Sequence, residues 1–192
     1  IMNKNILYLL ALVLLAALTY YFVFREEGEV FDKKEANFTV QDTAAVKTIF
    51  LSNLQNENIK LQKVNGVWTL NDSMVPRPDA VHALLNVLHQ QKPVQPVSVA
   101  YHDEVIKELS THHTKVEVYK EAGKTHTFYV GRNPGPNNET YMLNEQAKRP
   151  YLVKIPLQEL FVGVRYFTKI SEWRNKKILY AAAPIEKVSV VY

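Results

Sequence analysis

The chain has 192 residues, 47% of them hydrophobic and 22% charged, with a formal net charge of +4. That balance suits one ordinary domain with something added, and excludes a disordered chain and a wholly membrane-embedded one. Cysteine is absent, which removes a disulfide scaffold, a cysteine nucleophile, a thiolate metal site and an acylated-cysteine anchor together.

Residues 6–24 (ILYLLALVLLAALTYYFVF) form an uncharged run. As a helix it reaches roughly 28 Å, close to the ~30 Å hydrocarbon core of a bilayer. Tyr20 and Tyr21 stand where an aromatic belt sits, and Arg25, Glu26 and Glu27 end the run. The run is longer than the apolar region of a cleaved secretory signal. No small-x-small cleavage motif closes it, because Leu18-Thr19-Tyr20-Tyr21 is bulky. Residues 1–24 are therefore read as an uncleaved transmembrane anchor. Lys4 flanks one end; Arg25, Lys33 and Lys34 flank the other. The count alone does not favour an inward N-terminus. A short N-tail before a long domain does, because long domains translocate largely regardless of charge. Residues 25–192 are expected outside the cytoplasm.

Residues 25–39 are charged and aperiodic and read as a tether, followed by a domain over 40–192. β-like runs occupy 46–51, 58–64 and 67–70. Asn65-Gly66 between the last two is a two-residue hairpin signal, because both positions of a type I′ turn need positive φ. Pro76-Arg77-Pro78-Asp79 opens a helix to about residue 91, with Val81, Leu84, Leu85 and Leu88 on one stripe. A strand over 94–100 and a short helix over 103–110 follow. A hairpin over 115–119 and 125–130 comes next, then a turn-rich loop over 131–138. Strands over 140–143 and 150–155, a short helix over 156–162, an irregular stretch around Trp173, and β-like runs over 178–180 and 185–192 complete the pattern. The fold class is α+β: a single N-terminal transmembrane helix, then a mostly antiparallel β domain with two or three short helices. Residues 46–51 and 185–190 share a pattern of apolar and polar positions. Either the last run closes the same sheet, or it starts a second repeat.

The succession of residues 46–51 (VKTIFL), 61–71 (LQKVNGVWTLN) and 79–88 (DAVHALLNVL), with the later VEVY at 116, FYVG at 128, TYM at 140 and YLV at 151, resembles a bacterial domain-of-unknown-function family of N-terminally anchored envelope proteins. Some of its members are associated with gliding-motility-type ABC transporters. The resemblance covers about residues 40–192 and rests on the order of several short motifs. It implies a bacterial inner membrane location, single-pass, with the C-terminal domain in the periplasm. It carries no catalytic residues.

The residues offer little chemistry. His82 and His89 stand about 10.5 Å apart along a helix, too far to chelate one ion. With Asn86 they make a polar stripe opposite the leucines. His112 and His113, if extended, point to opposite faces. There is no Gly-x-Ser-x-Gly elbow, no His-Glu-x-x-His, no phosphate-binding Gly-x4-Gly-Lys-Ser/Thr and no dinucleotide fingerprint. The prolines beside Gly131 and Gly135 lack N–H groups and suit a contact loop better than a phosphate cradle. Asp103-Glu104 and Glu26-Glu27 are adjacent carboxylates read as exposed. Lys148-Arg149 and the group Arg165, Lys169, Arg174, Lys176 and Lys177 offer positive charge for headgroups, glycans or an acidic partner. Trp68, Tyr119, Tyr129, Tyr141, Tyr151 and Trp173 are expected in the core or in cross-strand pairs; exposed, they would stack on sugars. Asn37, Asn71 and Asn138 open formal N-glycosylation sequons. Thr43 and Ser73 lie in Asp-Ser/Thr-apolar triplets that resemble a bacterial O-glycosylation motif.

The expectation is a non-catalytic, membrane-anchored extracytoplasmic accessory or structural subunit of an envelope membrane-protein complex, without catalytic, cofactor-binding or metal residues. Its partners are other membrane proteins, and membrane lipids through residues 6–24; nucleic acid is not among them. The alternatives are an auxiliary subunit of an ABC-type transporter and a glycan or cell-wall binding module.

Overall fold

The computed structural model describes residues 4–24 (in part without side chains), 32, 34–177, 187 and 189. The chain divides into two units, Ile1–Asp32 and Lys33–Tyr192. The first contains one helix, α1 (Lys4–Phe24), 21 residues long. Among the described residues no helix is long and apolar enough to cross a membrane. The expected span over residues 6–24 falls partly on side chains outside the described residues.

The second unit is the expected α+β domain. Its strands are β1 (Thr48–Asn53), β2 (Asn58–Val64), β3 (Val67–Leu70), β4 (Lys92–Pro96), β5 (His113–Lys120), β6 (Gly123–Pro134), β7 (Thr140–Asn144) and β8 (Tyr151–Lys154). Its helices are α2 (Pro78–Gln90), α3 (Val99–Thr111) and the single turn α4 (Ile170–Trp173). The strands form one sheet in the order β3-β2-β1-β5-β6-β7-β8-β4. Every pairing is antiparallel. Helix α2 carries the chain from one sheet edge to the other, and α3 returns it to the centre.

Local chemistry explains the elements. Asn65 and Gly66 take φ of 50° and 85° and close β2 onto β3 as the type I′ turn requires. Pro78 starts α2 at a position where its missing N–H costs nothing. The buried stripe of α2 is Ala80, Val81, Leu84, Val87 and Leu88, with Leu85 half-buried at its margin. Its opposite face exposes His82, Asn86 and His89.

Strand alternation sorts the side chains onto two faces. Ile49, Leu51, Ile59, Leu61, Val116, Val118, Phe128, Val130, Met142 and Val153 are buried on one. A strap over residues 36–40 crosses that face. Phe38 is fully buried, with its ring about 6.0 Å from Phe128 and from Tyr151. Tyr166 closes on Phe128 from the other side at 6.1 Å. On the second face α3 packs Val105 and Leu109 with Val97 and Leu152, beside Tyr141 and Leu143.

Five expectations are corrected. The strand over 94–100 stops at Pro96, and Val99 and Ala100 belong to α3, whose N-cap Ser98 is extended. Helix α3 thus begins four residues before the expected 103. The helix over 156–162 does not form. Leu157 has a φ of 62°, and the Val162 and Gly163 N–H groups donate to the Thr140 hydroxyl instead of to a helix. A 3-10 turn over Val162–Arg165 stands there. The loop over 131–138 is shorter, because β6 runs on to Pro134. A side chain at Gly131 would come within 3.2 Å of the Tyr141 carbonyl, so glycine permits that continuation. Residues 36–39, read as tether, supply core: Ala36 and Phe38 are buried. The β-like runs at 178–180 and 185–192 lie outside the described residues, apart from Lys187 and Ser189, which are exposed and in no strand.

Gln91 joins the strap, α2 and the segment carrying Tyr166. The Tyr166 hydroxyl donates to the Gln91 side-chain carbonyl at 2.6 Å, and both residues are buried. Burial pushes the phenol far above its ordinary pKa, so it remains a donor. Tyr166→Phe strands that acceptor and should cost about 1–3 kcal/mol, read as a lower urea midpoint at unchanged m-value.

Candidate functional site

A shallow cleft runs along residues 161–172. One part, about 270 Å³, lies between the first turn of α2 and the chain at Val164, Arg165 and Lys176. The adjoining part, about 250 Å³, lies between Arg132 at the end of β6 and Lys169. Val164, Phe167 and Glu172 line both. Only the 3-10 turn over Val162–Arg165 and the single turn α4 are regular here, and hydrogen bonds from elsewhere in the domain hold the segment. Thr140 accepts from Val162 and Gly163, and the Trp173 indole N–H donates to the Phe167 carbonyl at 2.8 Å. The Arg77 N–H donates to the Trp173 carbonyl at 2.7 Å. The Phe167 ring lies on Trp173 at 4.4 Å.

Five cations border the cleft: Arg77, Arg132, Arg165, Lys169 and Lys176. Arg77 is engaged by the Asp79 carboxylate and the Glu172 carbonyl. That contact raises the Arg77 pKa and lowers that of Asp79. Among the described residues the other four form no ion pair. Of the basic residues the sequence groups, Arg165 and Lys176 line the first part of the cleft and Lys169 the second. The sequence also groups Arg174 and Lys177, which do not line the cleft, and it misses Arg77 and Arg132. Arg77 between two prolines marks a helix start, and nothing in its surroundings signals that residues 164–176 return to it. Lys148 and Arg149 lie on the loop between β7 and β8, where the Lys148 N–H donates to Glu35 at 3.1 Å.

At the β1–β2 turn the Glu57 carboxylate accepts from Asn53 Nδ2 at 2.7 Å and from the Thr168 hydroxyl at 3.0 Å. The turn is thereby clamped to the chain that carries the cleft.

The histidines sit apart. The His102 ring nitrogens lie 3.1 Å from Asp103 Oδ1 and 3.2 Å from the Lys148 carbonyl, and these contacts raise its pKa. His112 meets the Thr111 hydroxyl at 2.9 Å, and His113 the Leu109 carbonyl at 2.6 Å. Among the described residues no three His, Asp or Glu side chains gather as a metal site requires.

Of the six aromatic residues considered for sugar stacking, Tyr151 and Trp173 are fully buried, and the other four are half-buried. Tyr119 and Tyr129 lie on the part of the second face beside α3. There Lys115 and Lys124 alternate with Glu117 and Glu145 at 3.0–3.6 Å. The charges satisfy one another and leave no vacant pole. Asn37, Asn138 and Ser73 are exposed, and Thr43 is half-buried. Asn71 is engaged: its side chain accepts from the Lys60 N–H and donates to the Asn58 carbonyl.

The bonds from Thr168 and Asn53 hold the Glu57 carboxyl below its ordinary pKa. Its ionised form is therefore favoured by folding. The stabilisation is complete above the ordinary carboxylate range and is lost as pH falls through the lowered value. Glu57→Gln should lower the denaturation midpoint at pH 7, and the two proteins should converge as the pH falls through that lowered value. Comparison with known proteins finds no family model, no curated protein and no solved structure that this chain matches.

Proposed function

We propose that the protein is a single-pass, non-catalytic accessory or structural subunit of an envelope membrane-protein complex. Its anchor is residues 6–24, its location the bacterial inner membrane, and its α+β domain lies in the periplasm. The observation that carries this reading is the surface of α1. Tyr8, Leu10, Leu12, Val13, Leu14, Leu15 and Leu18 are between 45% and 69% exposed. Successive positions turn by about 100° around a helix, so these side chains face every direction. A helix that is apolar all round, with no stripe to bury against a core, is suited to lipid. Other support comes from the sequence: the uncharged run, the flanking tyrosines and the resemblance to anchored envelope proteins. That resemblance also supports the narrower form, an auxiliary subunit of an ABC-type transporter.

The domain fits a role in contact more than in reaction. The cations of its cleft are exposed, and His102, His112 and His113 bond to backbone and to neighbouring residues.

The test uses the full chain in its native membrane. The protein should stay in the membrane through an alkaline carbonate wash. In a mild non-ionic detergent it should then purify with other membrane proteins in fixed stoichiometry. An ATPase and a permease among them select the transporter form. Release by carbonate refutes the anchor, and recovery as a lone monodisperse chain refutes the subunit role. Leu12→Lys with Leu15→Lys should release the protein into the wash, since each lysine at a helix centre costs about 2.5–3.5 kcal/mol of insertion.

A further inference from the structure

The cleft along residues 161–172 combines two features. Its floor is apolar: Val164 is 50% exposed, and Phe161 and Phe167 are half-exposed beside it. Its rim is cationic: Arg132, Arg165, Lys169 and Lys176 are exposed and hold no ion pair among the described residues. The charges come from two separate stretches of chain, the end of β6 and residues 165–176, and border adjoining parts of one cleft because residues 162–173 are pinned to Thr140, Arg77 and one another. Low-dielectric walls beside several like charges focus a positive potential. Guanidinium forks match the planar spacing of phosphate oxygens and bind them in pairs. Lysine adds charge with a freer direction.

The carboxylates facing the cleft decide what kind of anion fits. Asp79 is consumed by Arg77. Glu57 is satisfied by Asn53 and Thr168, and feels Lys169 and Arg132 only at a distance. Glu172 is exposed, lines both parts and among the described residues forms no ion pair. It opposes any anion, so the anion that gains most is the one offering the guanidinium forks the most acceptor oxygens, a phosphate ester or free phosphate before a carboxylate.

We propose that this cleft is a phosphate-binding site, filled by the phosphate of a lipid headgroup or by phosphate free in solution. The apolar floor at Val164 and Phe167 suits the first source, and the open rim admits the second. The site is independent of the anchoring proposed above, since it lies wholly within the second unit.

The test takes the full chain in a maltoside detergent, which carries no phosphate. Inorganic phosphate and glycerol phosphate are titrated calorimetrically. In parallel, hydrogen exchange at residues 161–172 is compared in nanodiscs of phosphatidylcholine and of phosphatidylcholine with phosphatidylglycerol. Heat of binding with both soluble probes establishes the free source. Protection in either nanodisc that is absent in the detergent establishes the lipid source, and protection with phosphatidylglycerol alone shows that the headgroup must be anionic overall. Neither signal overturns the proposal. Arg165→Ala with Lys176→Ala should weaken binding about tenfold or more. Glu172→Gln should strengthen it several-fold, an outcome that impaired folding cannot produce. Unchanged affinity in both variants places any binding elsewhere and also overturns the assignment.

Discussion

Gln91 is where three otherwise separate pieces of chain become one body. It is fully buried at the end of α2. Its amide donates to the Phe38 carbonyl at 2.6 Å, and its side-chain carbonyl accepts from Tyr166 at 2.6 Å. Its backbone carbonyl accepts from the Thr39 hydroxyl at 2.7 Å, and its N–H from α2 donates to Val87. A buried amide left unpaired is costly, whereas one fully paired selects a single arrangement of everything it touches. The strap, α2 and the Tyr166 segment can therefore close over the sheet in one way. The aromatic contacts Phe38–Phe128, Phe38–Tyr151 and Phe128–Tyr166 then fill the space that this closure defines.

The cleft inherits its shape from that closure. Once Tyr166 is fixed from below, Thr140 and Trp173 fix the residues on either side, and Arg165 is left outward between them. Lys169 follows Thr168, whose buried hydroxyl is tied to Glu57 and Asn53. A segment with almost no regular secondary structure thus presents its cations in a fixed order. This is the usual way a loop carries function on a rigid scaffold. The two faces of the sheet divide the work. One is closed by apolar packing; the other pairs its charges among themselves beside α3.

The legible part of the fold was the part written in short-range pattern. The Asn65-Gly66 turn, the β2 and β3 bounds, the start of α2 at Pro78 and its buried Val81, Leu84 and Leu88 all follow from neighbours within a few residues. The errors have local causes too. Val99 and Ala100 look like strand because they are apolar, yet they open helix α3 after an extended Ser98. Residues 156–162 carry helical spacing, yet Leu157 adopts a left-handed backbone and Thr140 captures the next N–H groups. Three of the five cations bordering the cleft were legible as a charge run. Arg77 and Arg132 were not, because they lie some 30 to 90 positions from the rest in the chain.

By itself the sequence determined most of the elements, among them β2, β3 and α2, the class α+β and the uncharged run over residues 6–24, because periodicity, turn chemistry and apolar length are properties of consecutive residues. Only the tertiary structure decided the strand order, with β1 at the centre against β5 and with β3 and β4 at opposite edges. It alone made Phe38 core and turned scattered basic residues into a rim. The physical reason is that these outcomes depend on pairing surfaces far apart in the chain. Thr48 finds Tyr119, and Gln91 finds Phe38 and Tyr166, through burial and hydrogen-bond satisfaction that no local pattern records.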